Sequence, residues 1–163
     1  MIKEKVSIVV PLRNEEGSIE NFIKSLKNQI NLNFEYEFIF IDGNSKDKTL
    51  NKLKKNLIGF SYKYKILVNK DGTTPKSLNK GIKNSNGDYI LRMDCHSIYP
   101  RNYILSLIKN QKKYNCENIG GIVKTIPKNN SLISHAIAAA MSSVFCVGPS
   151  KFRISESLKN KKI

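Results

Sequence analysis

Apolar and polar positions alternate along this chain in blocks that predict strands and helices in turn. Val6 to Val10 is a mostly β-branched apolar run, the mark of a strand buried on both faces, and Pro11 is expected to end it. Ser18 then offers an N-cap, followed by Ile19, Phe22, Ile23 and Leu26 at helical spacing. Tyr36 to Ile41 predicts a second buried strand, and Asp42-Gly43-Asn44-Ser45 a turn. A short helix carrying Leu50, Leu53 and Leu57 follows. Tyr64 to Val68 predicts a third strand. Thr74-Pro75 opens a helix with Leu78 and Ile82 on one face, since proline suits a first helical turn. Asn86-Gly87 predicts a turn, and Tyr89 to Met93 a fourth strand that runs into Asp94-Cys95-His96. From Pro100, Tyr103, Ile104, Leu107 and Ile108 form the apolar stripe of another helix. Ile119 to Lys124 reads as a fifth strand, and Ser131 to Val147 as one Ala-rich helix. From Ser150 the chain turns polar and Lys-rich.

Strands alternating with helices argue for a mostly parallel α/β sheet with right-handed crossovers. In such sheets ligands bind beyond the carboxyl ends of strands, near the point where strand order reverses. Three polar clusters fall at such ends: Arg13-Asn14-Glu15, Asp42 to Asp47, and Asp94 to His96. Their shared location predicts one site. The chain has neither the GxGxxG nor the GxxxxGK[ST] phosphate cradle.

Charge complicates this picture. The net charge of +15 comes from 28 basic and 13 acidic residues, which by itself points to nucleic acid. Only four of the basic residues are Arg, however, and Lys spread over helix faces is ordinarily just solvated. Nucleic acid is therefore not the expected partner. A basic surface still favours phosphorylated ligands and peripheral contact with an anionic membrane, worth about 1 kcal/mol per nearby Lys. The apolar stretch from Ile133 to Val147 falls short of the ~20 residues of a spanning helix. No N-terminal signal is read. The three cysteines, Cys95, Cys116 and Cys146, follow no disulfide or zinc pattern. A cytoplasmic protein, at or near the inner face of the cell membrane, is the expectation.

Each cluster carries two readings. Asp94 either caps the helix that follows or binds a hard cation that also holds a diphosphate, and His96 lies on the same side of an extended chain. Asp42 either closes an Asx-turn or recognises a base or ribose. Asn14 and Glu15 either start a helix or present a donor–acceptor pair. The loop Gly72-Thr73-Thr74-Pro75-Lys76 leads into a helix N-terminus, where Lys76 and backbone N–H groups could meet a phosphate or sugar.

Four blocks in order bring a resemblance: Val6-Ser-Ile-Val-Val-Pro-Leu-Arg-Asn-Glu15, Ile41-Asp-Gly-Asn-Ser-Lys-Asp-Lys-Thr49, Leu78-Asn-Lys-Gly81, and Gly87-Asp-Tyr-Ile-Leu-Arg-Met-Asp94. Together they resemble inverting family 2 glycosyltransferases of the Rossmann-like GT-A fold. Asp42-Gly43 and the small-residue stretch Ala136 to Gly148 look closest to the bacterial succinoglycan-biosynthesis type. The resemblance covers residues 5 to 96 and extends weakly to Phe152-Arg153. It implies a nucleotide-diphosphate-sugar donor, with UDP favoured, a Mg²⁺ or Mn²⁺ ion, and a saccharide or lipid-linked acceptor of surface-polysaccharide synthesis.

By resemblance, Pro11, Asn14, Glu15 and Asp42 hold the nucleotide, with Arg13, Lys76 and Asn79 counted in the donor site. The metal motif falls on Asp94, with His96 in place of a second Asp. Gly43 stands where many members carry a base-reading Asp. The family's acidic catalytic base has no counterpart, since Glu156 is the one acidic residue after Glu117. The expected organisation is a nucleotide-sugar-binding domain over 1–130, then an apolar helix and Lys-rich tail over 131–163, the start of a truncated acceptor-side region. The alternative is a non-catalytic nucleotide-sugar-binding fragment or partner subunit.

Overall fold

The computed structural model describes residues 3–27, 29, 33–148 and 153. Strand β1 spans Glu4–Leu12, helix α1 Ile19–Lys27, β2 Phe34–Asp42, α2 Thr49–Asn56, β3 Lys63–Val68, α3 Thr74–Lys83, β4 Tyr89–Arg92 and α4 Tyr103–Tyr114. The four strands form one parallel sheet in the order β3-β2-β1-β4. Rather than ending at Pro11, β1 runs on to Leu12, paired in register with Asp42 of β2. Proline is tolerated there because β4 pairs with β1 only as far as Val9, which leaves Pro11 at a stretch with one strand neighbour.

Chain direction decides which face each helix covers. From β1 to β3 the chain moves one way, and α1 and α2 lie on one face. It then returns past β1 to reach β4, and a right-handed crossover puts α3 on the opposite face. On the first face, Val6, Ile8, Val10 and Leu12 pack with Phe38, Phe40, Phe22, Leu26 and Leu53. Phe38 is stacked on Phe40 and meets Phe60 edge-on at 5.0 Å. Each such side chain, fully buried, contributes roughly 1.5–3 kcal/mol. On the second face, Val9, Ile39 and Ile41 pack against Leu67 and Leu78. Gly81 lets α3 approach them: a Cβ there would lie 2.4 Å from Val9 Cγ1 and 2.8 Å from Ile41 Cδ1.

A buried polar knot ties the amino half of the sheet. Glu37 on β2 faces Ser7 on β1 in register and accepts its hydroxyl proton. Asn86 N–H also donates to Glu37, at 2.6 Å, Gly87 N–H donates to Ser7 Oγ at 2.8 Å, and Lys5 Nζ lies 3.4 Å from Glu37. Gly87 is required by closeness, since a Cβ would sit 2.6 Å from Ser7 N. Burial pushes the Glu37 carboxyl up. Ser7, the Asn86 N–H and the Lys5 charge outweigh it and hold the carboxyl below its ordinary value.

The chain divides into two compact units, Met1–Ile108 and Lys109–Ile163, so the division falls inside α4. In the second unit the expected strand over Ile119 to Lys124 is irregular. Its Ile122 and Val123 are exposed and so lack the burial that favours a strand, and Gly120 and Gly121 add backbone entropy to be lost. The single helix expected from Ser131 to Val147 is two, α5 over Leu132–Ala140 and α6 over Val144–Val147. The break is built by serines. Ser142 Oγ donates back to the Ala138 carbonyl, and Ser143 Oγ accepts the Phe145 N–H as a new N-cap. Only Ala138 is buried on these helices. Among the described residues no helix is long and apolar enough to cross a membrane. The Lys-rich tail, Phe152 and Glu156 lie outside the described residues.

Two outcomes follow. Gly81→Ala gains about 1 kcal/mol of helix propensity but loses about 1–3 kcal/mol to overpacking against Val9, so its urea midpoint should fall. A carboxyl held low in the folded state stabilises above its ordinary range and loses that contribution as pH falls. Between about pH 5 and pH 3, urea midpoints of the wild-type chain should therefore drop more steeply than those of Glu37→Gln.

Candidate functional site

The carboxyl ends of β1, β2 and β4 meet around a cleft of about 150 Å³, lined by Pro11, Leu12, Arg13, Glu15, Gly43, Gly72, Thr74, Ser77, Arg92, Asp94 and His96. It lies where the strand order reverses about β1.

Its first wall is two loops bonded to each other. Asn14 takes a left-handed backbone, φ 55°, which asparagine tolerates better than most residues. Its N–H donates to Ser45 Oγ at 3.0 Å and its Oδ1 accepts the Lys46 N–H at 2.9 Å. Glu15 N–H donates to Thr49 Oγ1 at 2.7 Å, and Glu16 N–H to Asp47 Oδ2 at 3.2 Å. Burial raises the Asp47 carboxyl, but the Thr49 hydroxyl and N–H and the Glu16 N–H bring it below its usual value. Asp42, 4% exposed, accepts the Ser45 N–H through Oδ2 at 3.2 Å, while its buried Oδ1 has no hydrogen-bond partner. The next residue, Gly43, donates to the Leu12 carbonyl at 2.7 Å.

Arg13 spans from this wall to the turn before α3. Its Nη1 donates to the Gly72 carbonyl at 2.7 Å. Gly72 has φ 66°, and a Cβ on it would stand 3.1 Å from both the Arg13 guanidinium and the Gly43 carbonyl. Glycine is needed there for conformation and for space.

The opposite wall is Asp94 and its surroundings. Tyr99 Oη accepts the Asp94 N–H at 2.7 Å, and the Tyr99 ring is wedged between Phe22 and Tyr103 at centroid distances of 6.4 and 4.9 Å. Burial raises the Tyr99 hydroxyl further, so it stays neutral. The Asp94 carboxylate is forked by Arg92, Nε to Oδ1 at 3.0 Å and Nη2 to Oδ2 at 3.1 Å. The pair is partly exposed and contributes only about 0–1 kcal/mol. His96 Nδ1 lies 3.0 Å from Glu15 Oε1, which links the two walls. Cys95 is buried and pushed up to about 12, first by burial and then by the Glu15 charge, so it is an inert thiol.

Among the described residues no three His, Cys, Asp or Glu side chains gather as a metal cage. The donor set fits a cation that takes one or two protein ligands and completes its shell with substrate phosphates, as Mg²⁺ does. Asp94 and His96 both line the cleft and could supply those ligands.

Of the expected residues, the cleft brings together Pro11, Arg13, Glu15, Asp94 and His96, with Asp42 adjoining it through Gly43. Asn14 is engaged in joining the two loops. Lys76 pairs with Asp71 at 3.1 Å, and with Asn79 it lines a separate groove of about 510 Å³ over α3. Two residues outside the expected set, Arg92 and Tyr99, hold Asp94. Arg92 had a readable signal: it is one of four Arg and sits two residues before Asp94.

Comparison with known proteins agrees with this architecture. The profile of "Glycosyl transferase family 2" matches residues 7–162. A Methanococcus voltae protein, dolichyl N-acetyl-alpha-D-glucosaminyl phosphate 3-beta-D-2,3-diacetamido-2,3-dideoxy-beta-D-glucuronosyltransferase, is 29% identical over 153 residues, covering 90% of this chain and 47% of its own. In structure the chain is similar to S. aureus TarS 1-349 in complex with UDP (TM-score 0.61, 21% identity, 77% of this chain and 40% of that one). It is also similar to the mannosyltransferase PcManGT of Pyrobaculum calidifontis in complex with GDP-Man and Mn²⁺ (TM-score 0.65, 16% identity, 86% and 41%). These last two likenesses concern the fold, which is GT-A. The chain spans about half the length of the curated relative it matches.

Asn14 provides a test of the first wall. Asn14→Val loses the bond to Lys46 and forces a β-branched residue into left-handed backbone, so it should cost about 1–3 kcal/mol in urea unfolding. Asn14→Gly loses the same bond without the strain and should cost visibly less.

Proposed function

The chain belongs to glycosyl transferase family 2, and we propose that its first unit binds a nucleotide-diphosphate sugar, UDP-linked in the favoured case, for inverting transfer of the sugar to a hydroxyl acceptor. The observation that carries this reading is the cleft itself. Arg13 and Arg92 supply positive charge, and Asp94 and His96 supply cation ligands, at the reversal point beside the buried carboxylate of Asp42.

Each residue then has a task. The lone Oδ1 of Asp42 accepts an N–H of the base, because among the described residues it is the one buried acceptor of this wall without a donor. Arg13 and Arg92 face the diphosphate, where a planar guanidinium pairs well with phosphate oxygens. Bound at Asp94 and His96, Mg²⁺ or Mn²⁺ supplies neutralisation of the charge on the departing diphosphate. Tyr99 keeps the Asp94 main chain fixed while the carboxylate acts. Glu15 orients His96. Proteins of similar fold support a donor of this class: TarS 1-349 is in complex with UDP and PcManGT with GDP-Man and Mn²⁺. A saccharide or lipid-linked acceptor of surface-polysaccharide synthesis, of the succinoglycan type, is our reading of the four sequence blocks together with Asp42-Gly43 and the stretch Ala136 to Gly148. The Lys-rich surface supports work at the inner face of the cell membrane.

Inverting transfer also needs a base for the acceptor hydroxyl. After Glu117 the sequence has one acidic residue, Glu156. That observation favours a second reading, in which this stretch binds the donor and does not transfer the sugar by itself. An assay of sugar transfer or donor hydrolysis by the 163-residue chain separates the two, and robust turnover removes the second.

For the first, calorimetry with UDP in the presence of Mn²⁺ should show binding that weakens at least about tenfold, about 1.4 kcal/mol, in Asp94→Ala. A wild-type chain that takes up no UDP with metal present would sink the proposal.

A further inference from the structure

The carboxylate that this reading gives to the cation is already engaged. Arg92 and Asp94 lie two residues apart at the end of β4, and the guanidinium takes both carboxylate oxygens in a fork. The Asp94 backbone is fixed separately by Tyr99, so the carboxylate is held at both its ends. Among the described residues Arg92 donates to no acceptor but Asp94, whereas Arg13, the other guanidinium of the cleft, is bonded to the Gly72 carbonyl. Arg92 emerges on the sheet face covered by α3, in register with Val9, and it lines the cleft itself.

We propose that Arg92 is a guard for the cation site: it occupies Asp94 until a diphosphate draws it away, so that cation and nucleotide bind cooperatively. The inference rests on Asp94 being the cation residue. Its physics is competition. While Arg92 donates to both oxygens of Asp94, a cation reaches that carboxylate only through the lone pairs left over and against the positive charge of the guanidinium. A diphosphate offers Arg92 the same fork of oxygens with more negative charge. Moving Arg92 from carboxylate to phosphate frees a cation ligand and strengthens nucleotide binding in one step. Because the coupling is a free energy between two ligands, each must raise the affinity of the other by the same factor. The ion pair is half-exposed, so the barrier to exchange is low and the effect is modest: a guard rather than a lock.

The test measures free Mn²⁺ by electron paramagnetic resonance, titrated into the full chain up to several millimolar, with and without saturating UDP. Without UDP, Arg92→Gln should bind Mn²⁺ roughly threefold to tenfold more tightly than wild type, the range set by a weak exposed pair plus the lost positive charge. Arg92→Lys keeps the charge and loses the fork, and should also tighten binding. Arg13→Gln removes a charge from the same cleft without freeing Asp94, and should tighten it less. The factor by which UDP raises Mn²⁺ affinity should be smaller in Arg92→Gln than in wild type.

The guard is overturned if Arg92→Gln matches wild type, if Arg92→Lys matches wild type while Arg13→Gln equals Arg92→Gln, or if the UDP factor is unchanged. Asp94→Asn distinguishes that failure from failure of the cation assignment. If Asp94→Asn binds Mn²⁺ as wild type does, the assignment itself falls. If it loses Mn²⁺ while the Arg92 variants behave as wild type, only the guard falls. Circular dichroism on each variant establishes that the exposed substitutions leave the fold intact.

Discussion

Parallel pairing of β1 on both sides is the constraint from which the rest follows. Nine residues of β1 lie in register with β2, and four of them also with β4. Parallel neighbours must be joined by crossovers, so the four strands end at the same rim and the crossover helices α1, α2 and α3 begin there. Polar residues after Leu12, Asp42 and Arg92 are thereby carried to one place, Glu15 and His96 from positions 81 residues apart. Removing a side chain from the core weakens this arrangement locally. Shifting β1 by one residue would turn Val6, Ile8 and Val10 toward the other face and dissolve the site with the fold.

The elements legible in the sequence were those whose signal is burial. Val6 to Val10 and Tyr36 to Ile41 read as strands because both faces are covered, one by α1 and α2 and the other by α3. The Ile19, Phe22, Ile23, Leu26 stripe read as a helix because that face alone is buried. Ile119 to Lys124 has the same β-branched character but lies largely exposed, and composition cannot tell an apolar residue that is covered from one that is not. The Ala-rich stretch misled in another way. Its periodicity is continuous, and only the hydroxyls of Ser142 and Ser143, turned onto the backbone, divide it.

Within the site, residue types were legible and partnerships were not. Asp42 and Asp94 stand at strand ends, a position fixed by sequence pattern. That Asn14 joins two loops, and that Lys76 faces a different groove, depends on how the loops fold against each other. Gly81 shows the same limit from the structural side. It belongs to a block that resembles a functional motif, yet its place is fixed by the distance between α3 and Val9.

The unpartnered oxygen of Asp42 carries a cost that a nucleotide bound as proposed would relieve. A buried acceptor left without a donor destabilises by about 1–3 kcal/mol, in a chain whose other buried carboxylate, Glu37, is fully supplied. On the proposed function, the position is a local frustration that the nucleotide relieves. On that reading, selection for heat tolerance alone would tend to erase this residue, and laboratory evolution toward higher melting temperature would lose the proposed nucleotide site before it loses the fold.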